Sequence, residues 1–410
     1  MSNGAAILVR RSTAQAGTSV APWSATRKRM SRAHAATAAG IALTLLLLTS
    51  ATRAQQGQLD ASAIRAAIDR ALASSPSGAR ALQSPAQTGV RTLGVEVDRT
   101  AAGSDRITID LSQRALTYDP SGDAEVLVDH ILAATAALTA GTSHVSYRFL
   151  VDGLPLEQFA TRGYPAPRFR TSSADGVTRV VVSPGHGVYF DEWAGGWYLQ
   201  RNYYWGIVED LVNWDIAQYV QDGLRLSPVV VQPVRHPDRA AIPGVSGYPG
   251  WQESATYFIR GLGVPPEIWN YGVSNYNRDI NARPFYANWV DADLMISIHN
   301  NGGGGTGTET WYDETNGQEA ASRRLAELVN AKVVAAIRAA YDPAWPDRGL
   351  RSCNGCKGEN RLAHRPAVIL EVAFMDTQTP DNAALQDDRF KQIVAGAIRD
   401  AIVEWTATQG

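Results

Sequence analysis

The sequence predicts an α/β fold: a largely parallel, doubly wound sheet flanked by helices, preceded by a small α/β module. Three observations carry that expectation. Short runs of β-branched and aliphatic residues recur as strands buried on both faces: Val180-Val181-Val182, Val229-Val230-Val231, Leu294-Met295-Ile296 and Val368-Ile369-Leu370. Amphipathic helical stretches separate them, the alternation that builds a parallel sheet. Three of the runs also deliver a chemically capable residue at the C-terminal end, His186, His299 and Glu371, the edge where open α/β sheets bind ligands.

At 410 residues the chain is long enough for two folded domains. The first 54 residues hold seven Lys/Arg and no acidic residue, with an apolar run from Ala35 to Leu48 and small residues before Ala54. That pattern predicts a secretory signal peptide over 1–54, cleaved after Ala54, with Met30 as an alternative true start; an uncut membrane anchor is the competing reading. Without it the chain carries 31 Lys/Arg against 40 Asp/Glu, net −9. So acidic a surface argues against nucleic acid as a partner. The two cysteines, Cys353 and Cys356, read as a small local disulfide in an exported protein rather than as a zinc site.

Taken in order, residues 55–90 are Ala/Ser/Gln/Pro-rich and read as a linker, with one helix over Ala61–Ala73 ended by Ser74-Ser75-Pro76. Residues 91–160 read as the small module: a strand at Ile107–Leu111, a helix over Ala124–Leu138 and a strand at Val145–Val151 running into Asp152-Gly153. This order resembles the GerMN module of cell-envelope proteins, which implies interaction or positioning rather than catalysis. His130 and His144 read as helix-face and surface histidines. Residues 161–176 read as the interdomain connection.

The segment 177–410 opens with the strand ending in Ser183-Pro184-Gly185-His186-Gly187, where two glycines allow close approach to the histidine. A helix follows over 207–224, with Glu209 in its first turn and Gly223 expected to stop it. After the strand 228–232, residues 236–290 read as long, irregular and aromatic-rich, with the insertion proper at about 236–280. A loop of that length is usually functional. Next come the strands 292–299 and 308–312, a helix Gln318–Tyr341, the strand 366–371 and a last helix Phe390–Trp405.

Two imidazoles and a carboxylate with an open fourth position form a catalytic zinc set, and another carboxylate off the metal can move protons. Ser-Pro-Gly-His-Gly, Glu209 with Leu211 and Asn213, Asn281-Ala282-Arg283, the run Ala292 to Asn301, Gly307 to Tyr312, and Pro366 to Phe374 together resemble the zinc-dependent N-acetylmuramoyl-L-alanine amidases of the type-3 family. The resemblance runs in order through 177 to about 408. It implies His186, Glu209 and His299 as zinc ligands, Glu371 as catalytic acid/base, and peptidoglycan as substrate in the cell envelope, secreted or periplasmic. It leaves a protein activator or envelope partner to residues 91–160.

The sequence departs from the family in the long aromatic stretch after His186, which makes Glu192 a rival ligand. Other departures are the 236–280 insertion, placed to lid the zinc as regulatory helices do in some relatives, Ala373 in place of a glycine, and Thr377 in place of an asparagine. Glu309 reads as a strand residue that contacts substrate or water, Arg283 as a brace through an ion pair, and His364 as a neighbour of the site. His236 reads as a surface residue. Two other readings stay open: a zinc carboxypeptidase-like peptidase, and a non-catalytic wall-binding or regulatory protein with a masked site.

Overall fold

The computed structural model describes residues 59–73, 89–101, 103–116, 123–160, 177–240 and 243–408. The expected signal peptide and the 161–176 connection lie outside them. No helix among the described residues is long and apolar enough to cross a membrane.

The principal elements are α1 (Ala61–Ala73), β1 (Thr92–Arg99), β2 (Asp105–Leu111), α2 (Asp123–Thr135), β3 (His144–Val151), β4 (Thr178–Pro184), α3 (Glu209–Leu224) and β5 (Val229–Pro233). They continue with α4 (Asn275–Trp289), β6 (Leu294–Asn301), β7 (Thr308–Asp313), α5 (Glu319–Ala340), β8 (Asp347–Cys353), β9 (Ala367–Phe374) and α6 (Asp388–Thr408). One sheet takes in all nine strands in the order β1-β2-β3-β8-β7-β9-β6-β4-β5. Most neighbours are parallel; β1/β2 and β7/β9 are antiparallel.

The strand order positions the site. From β4 the chain crosses to β5 on one side and later returns to β6 on the other. The C-terminal ends of β4 and β6 therefore flank a switch point, where an open sheet leaves a crevice. Because β7 runs against β9 with Glu309 opposite Glu371, the start of β7 reaches the edge where β9 ends.

Apolar runs make the core. Val180, Val182, Ile296, Ile298, Val368 and Leu370 are fully buried beneath α3, α5 and α6 on one face. On the other face Val181, Met295 and Ala367 meet α4 and the 255–268 helices, while β2 and β3 meet α1 and α2. Each such aliphatic side chain contributes about 1.5–3 kcal/mol by leaving water.

Several expectations are corrected. Residues 92–151 do not stand apart as a module: β3 pairs in parallel with β8, Leu350 opposite His144 through Cys353 opposite Tyr147, and extends the main sheet. Helix α1, read as part of a linker, buries Ile64 and Ile68 in the same layer. Helix α3 starts at Glu209 rather than 207 and ends at Leu224, as expected; Gly223, lacking a side chain, lets Arg399 of α6 pack against the helix. The stretch 236–290 is not irregular throughout, since it ends in the 15-residue α4. That helix buries Asp279, Asn281, Arg283 and Asn288 as well as apolar residues, so it has no polar face to read, and Pro284 sits inside it. Cys353 and Cys356 are joined, as expected.

Candidate metal centre

The turn after β4 is built for close approach. His186 has φ 61 and Gly187 φ 134, the left-handed region that costs a side-chain-bearing residue energy and that surrounding structure must enforce. Asp210, on the first turn of α3, enforces it by accepting from the backbone N–H groups of Gly187 (3.0 Å), Gln200 (2.7 Å) and Arg201 (3.1 Å). A Cβ on Gly185 would lie 2.2 Å from His299 Cε1, so only glycine lets β6 bring that imidazole alongside the turn.

Three donor atoms converge there. His186 Nε2 lies 3.1 Å from Glu209 Oε1, His299 Nδ1 lies 3.2 Å from the same oxygen, and the two ring nitrogens are 3.1 Å apart. Among the described residues this is the group of His, Cys, Asp and Glu side chains that can hold a metal ion, and all three are buried. Bond lengths of 2.0–2.2 Å in a tetrahedron set ligand atoms about 3.3 Å apart, so the triangle has the right size, and two imidazoles with one carboxylate suit zinc chemically.

The electrostatics favour positive charge at that point. Burial alone would strip a proton from His299, yet Glu359 and Glu209 hold its imidazole up to about 10. Burial also works against the Glu209 carboxylate, but His186, His299 and Arg201 hold it well below its ordinary range.

Glu371 shares the crevice through strand register, opposite His299 on the neighbouring β6. Its Oε2 is buried with no hydrogen-bond partner. Burial pushes the carboxyl up to about 7, with Lys357 and His299 opposing and Glu209 and Glu309 adding. A carboxyl poised there exchanges protons readily near neutral pH.

These groups line one cavity of about 180 Å³. Across it lies α2, contributing Glu125, Val126, Asp129, His130, Leu132 and Ala133. Asp129 pairs with Lys357 at 2.7 Å, Glu125 accepts from Gly358 N at 2.8 Å, and Val126 packs with Tyr189, Tyr276 and Ile280 on the far wall. A Cβ on Gly303 would lie 2.1 Å from the Ala133 carbonyl oxygen, so helix and loop touch through backbone.

The family model for N-acetylmuramoyl-L-alanine amidases designated Amidase_3 matches residues 180–404, more than half of the chain. The chain belongs to this family. Over 119 residues the chain is 33% identical to the N-acetylmuramoyl-L-alanine amidase LytC of Bacillus subtilis, covering 28% of this chain and 22% of LytC; the match thus spans about a fifth of that relative's length. Among solved structures, amidase Ami1 of Mycobacterium smegmatis is similar over 57% of this chain and 98% of its own, at 17% identity and TM-score 0.40. AmiC2 of Nostoc punctiforme is similar over 56% and 97%, at 20% identity and TM-score 0.37.

The matched segment holds His186, Glu209, His299 and Glu371, all of which meet at the crevice. Glu192 does not join them: it is exposed and accepts from the Asn275 backbone at 2.7 Å. Glu309 is not solvated either, because the buried Arg348 (2.7 Å) and Arg351 (3.4 Å) pair with it. Arg283 has its ion pair, to Asp279 at 2.8 Å. His364 is exposed and does not line the cavity. His130, half-buried, reaches the Ala71 carbonyl at 2.8 Å and lines the cavity, while His144 reaches the Tyr312 hydroxyl at 3.2 Å. The 236–280 insertion contributes only Tyr276 and Ile280 to that lining.

Sequence reasoning missed Gln200, Lys357, Glu359 and the whole of α2 as neighbours of the site. Gln200 sits in a bend and Glu359 in a four-residue helix, both too short for a periodic signal. For Lys357 and Glu359, closeness to the disulfide turn was the one available hint.

Proposed function

We propose that this protein is a zinc-dependent peptidoglycan hydrolase that cleaves the amide between N-acetylmuramic acid and L-alanine. The observation that carries the reading is the meeting of His186, Glu209 and His299 around one point, with the unpartnered carboxylate of Glu371 beside it. Family membership supports the bond and substrate. His186 Nε2, Glu209 Oε1 and His299 Nδ1 hold the ion in this reading. When bound, zinc supplies a Lewis acid that polarises the scissile carbonyl and makes water more acidic.

The remaining work falls to the chain's own groups. Glu371, ionised, takes the proton of the attacking water and returns it to the departing alanine amine. Burial, which raises its proton affinity, makes both transfers feasible. Lys357, whose charge acts on Glu371, keeps enough of the carboxylate ionised at neutral pH. Export to the cell envelope, with cleavage after Ala54, belongs to the same proposal, and residues 91–160 remain the candidate surface for an envelope partner.

Digestion of purified sacculi tests the reaction. Free muramic lactyl groups with new N-terminal alanine are expected; release of C-terminal amino acids without new N-terminal alanine would support the carboxypeptidase-like alternative instead. N-terminal sequencing of exported protein tests the cleavage site, with Gln55 expected first.

A second reading, a latent enzyme with a masked site, is favoured by α2. The helix bridges from Lys357 and Gly358 to Tyr276 and Ile280 along one side of the cavity. Wall release by the intact chain that rises when the α2 ties are loosened supports latency; unchanged release supports α2 as a fixed wall of the cleft.

A further inference from the structure

Each histidine of the triangle is held from behind, and the two are held differently. His186 Nδ1 meets the Gln200 side-chain oxygen at 2.9 Å, a neutral partner. His299 Nε2 meets Glu359 Oε1 at 3.0 Å, a carboxylate. Glu359 sits in the short helix Gly358–Arg361 beneath β6 and is 4% exposed. Its other oxygen accepts from the Ser297 hydroxyl, two residues before His299 on the same strand.

The two supports are linked. Gln200 Nε2 donates to Asp279 at 2.9 Å, Asp279 pairs with Arg283 at 2.8 Å, and Arg283 Nε lies 3.9 Å from Glu359 Oε1. Arg283 also donates to the Pro184 and His186 carbonyl oxygens. Helix α4 thereby joins the two histidines from outside, which explains its buried Asp279 and Arg283.

We infer that Glu359 is a positioning residue that fixes His299 with Nδ1 toward the shared point and strengthens it as a donor to a metal ion. The inference rests on the metal-site reading above and deepens it. Glu359 cannot itself join the triangle, because the His299 ring stands between them. What it does is accept the Nε2 proton, which leaves Nδ1 as the lone-pair nitrogen, and place a negative charge behind the ring. Partners of this kind usually change metal affinity or activity 10–100-fold when removed. A charge-assisted hydrogen bond is roughly twice as strong as a neutral one, so the Glu359 side should matter more than the Gln200 side.

The experiment measures zinc affinity of the purified protein by competition with a chelator, at one pH, for wild type, Glu359→Gln, Ser297→Ala and Gln200→Leu. Glu359→Gln keeps the size and an acceptor oxygen while removing the charge, and should weaken zinc by about 10–100-fold. Ser297→Ala leaves Glu359 and Arg283 in place but frees one carboxylate oxygen, so a smaller weakening in the same direction is expected even should the Gln variant fold poorly. Gln200→Leu should fall short of Glu359→Gln. The visible spectrum of the cobalt-loaded protein gives a second readout: Glu359→Gln should shift its bands while keeping the intensity of a four-coordinate site. Tight zinc binding in wild type with unchanged affinity and spectrum in both Glu359→Gln and Ser297→Ala would overturn this inference alone. A wild type that holds no zinc would overturn the metal-site reading beneath it.

Discussion

The floor and the roof of the cavity are built on different principles. On the floor, His186, Glu209 and His299 are each fixed by several buried partners, and Arg283 ties β4, α4 and Glu359 into one frame. The roof, α2, is held mainly by apolar packing: Leu127, Val128, Ile131 and Leu132 are buried against β2, β3, Trp311 and Ile369, and polar ties to the floor side are one ion pair and one carboxylate-to-backbone bond. The difference sets a buried polar frame on one side of the cavity and an apolar layer on the other, so any gating by α2 has to work against that packing.

Losing the proton carrier on the floor should have the largest effect. Glu371→Gln is expected to lower wall hydrolysis about 10²–10⁴-fold while zinc content measured on the same preparation stays unchanged. Undiminished hydrolysis would remove Glu371 from its role. Its carboxyl must be ionised to accept a proton, and burial raises it to about 7; a bound cation works the other way. Activity should therefore fall as pH drops, with the acidic limb of the kcat/KM profile at or below about pH 7, and a limb well above that would contradict the assignment.

A smaller effect should follow from crowding the floor. Gly185→Ala would drive a methyl group into the His299 ring; overpacking of that kind costs about 1–3 kcal/mol, expected as weaker zinc binding in a chelator titration. Unchanged affinity would mean that the turn and β6 can separate, and that the floor is less rigid than the comparison holds.

The smallest effect belongs to the roof. Asp129→Asn removes the partner of Lys357, a pair that is partly exposed and worth about 1 kcal/mol at most. If α2 gates the site, release from sacculi should rise by no more than about fivefold, with zinc affinity unchanged. A fall in activity would instead make α2 a required wall.

How much of this was legible in the sequence follows the same division. Strands buried on both faces announce themselves as apolar runs, so β4, β5, β6 and β9 were readable, and so were His186, His299 and Glu371 at or near the C-terminal ends of three of them. Helices α5 and α6 present a single apolar stripe to the sheet and were readable too. Helix α4 was hidden because several of its polar residues are buried, and β8 because its Arg348 and Arg351 are buried against Glu309 on another strand and the carbonyl oxygens of Ala136, Thr139 and Thr142. Nor could the local pattern, which gives β2, α2 and β3 but not β1, say that β3 docks on β8. That docking matters for experiment: cutting the chain at 177 would expose the β8 edge, so point changes in α2 test the roof more cleanly than truncation.

The central claim is that His186, Glu209 and His299 share one ion. X-ray absorption at the zinc edge of the stoichiometrically loaded protein tests it most directly. One zinc per chain with two imidazole nitrogens and light-atom oxygen neighbours at about 2.0–2.2 Å, reduced to one imidazole in His299→Ala, is the predicted result. Zinc without imidazole ligands, or a His299→Ala spectrum identical to wild type, would contradict it.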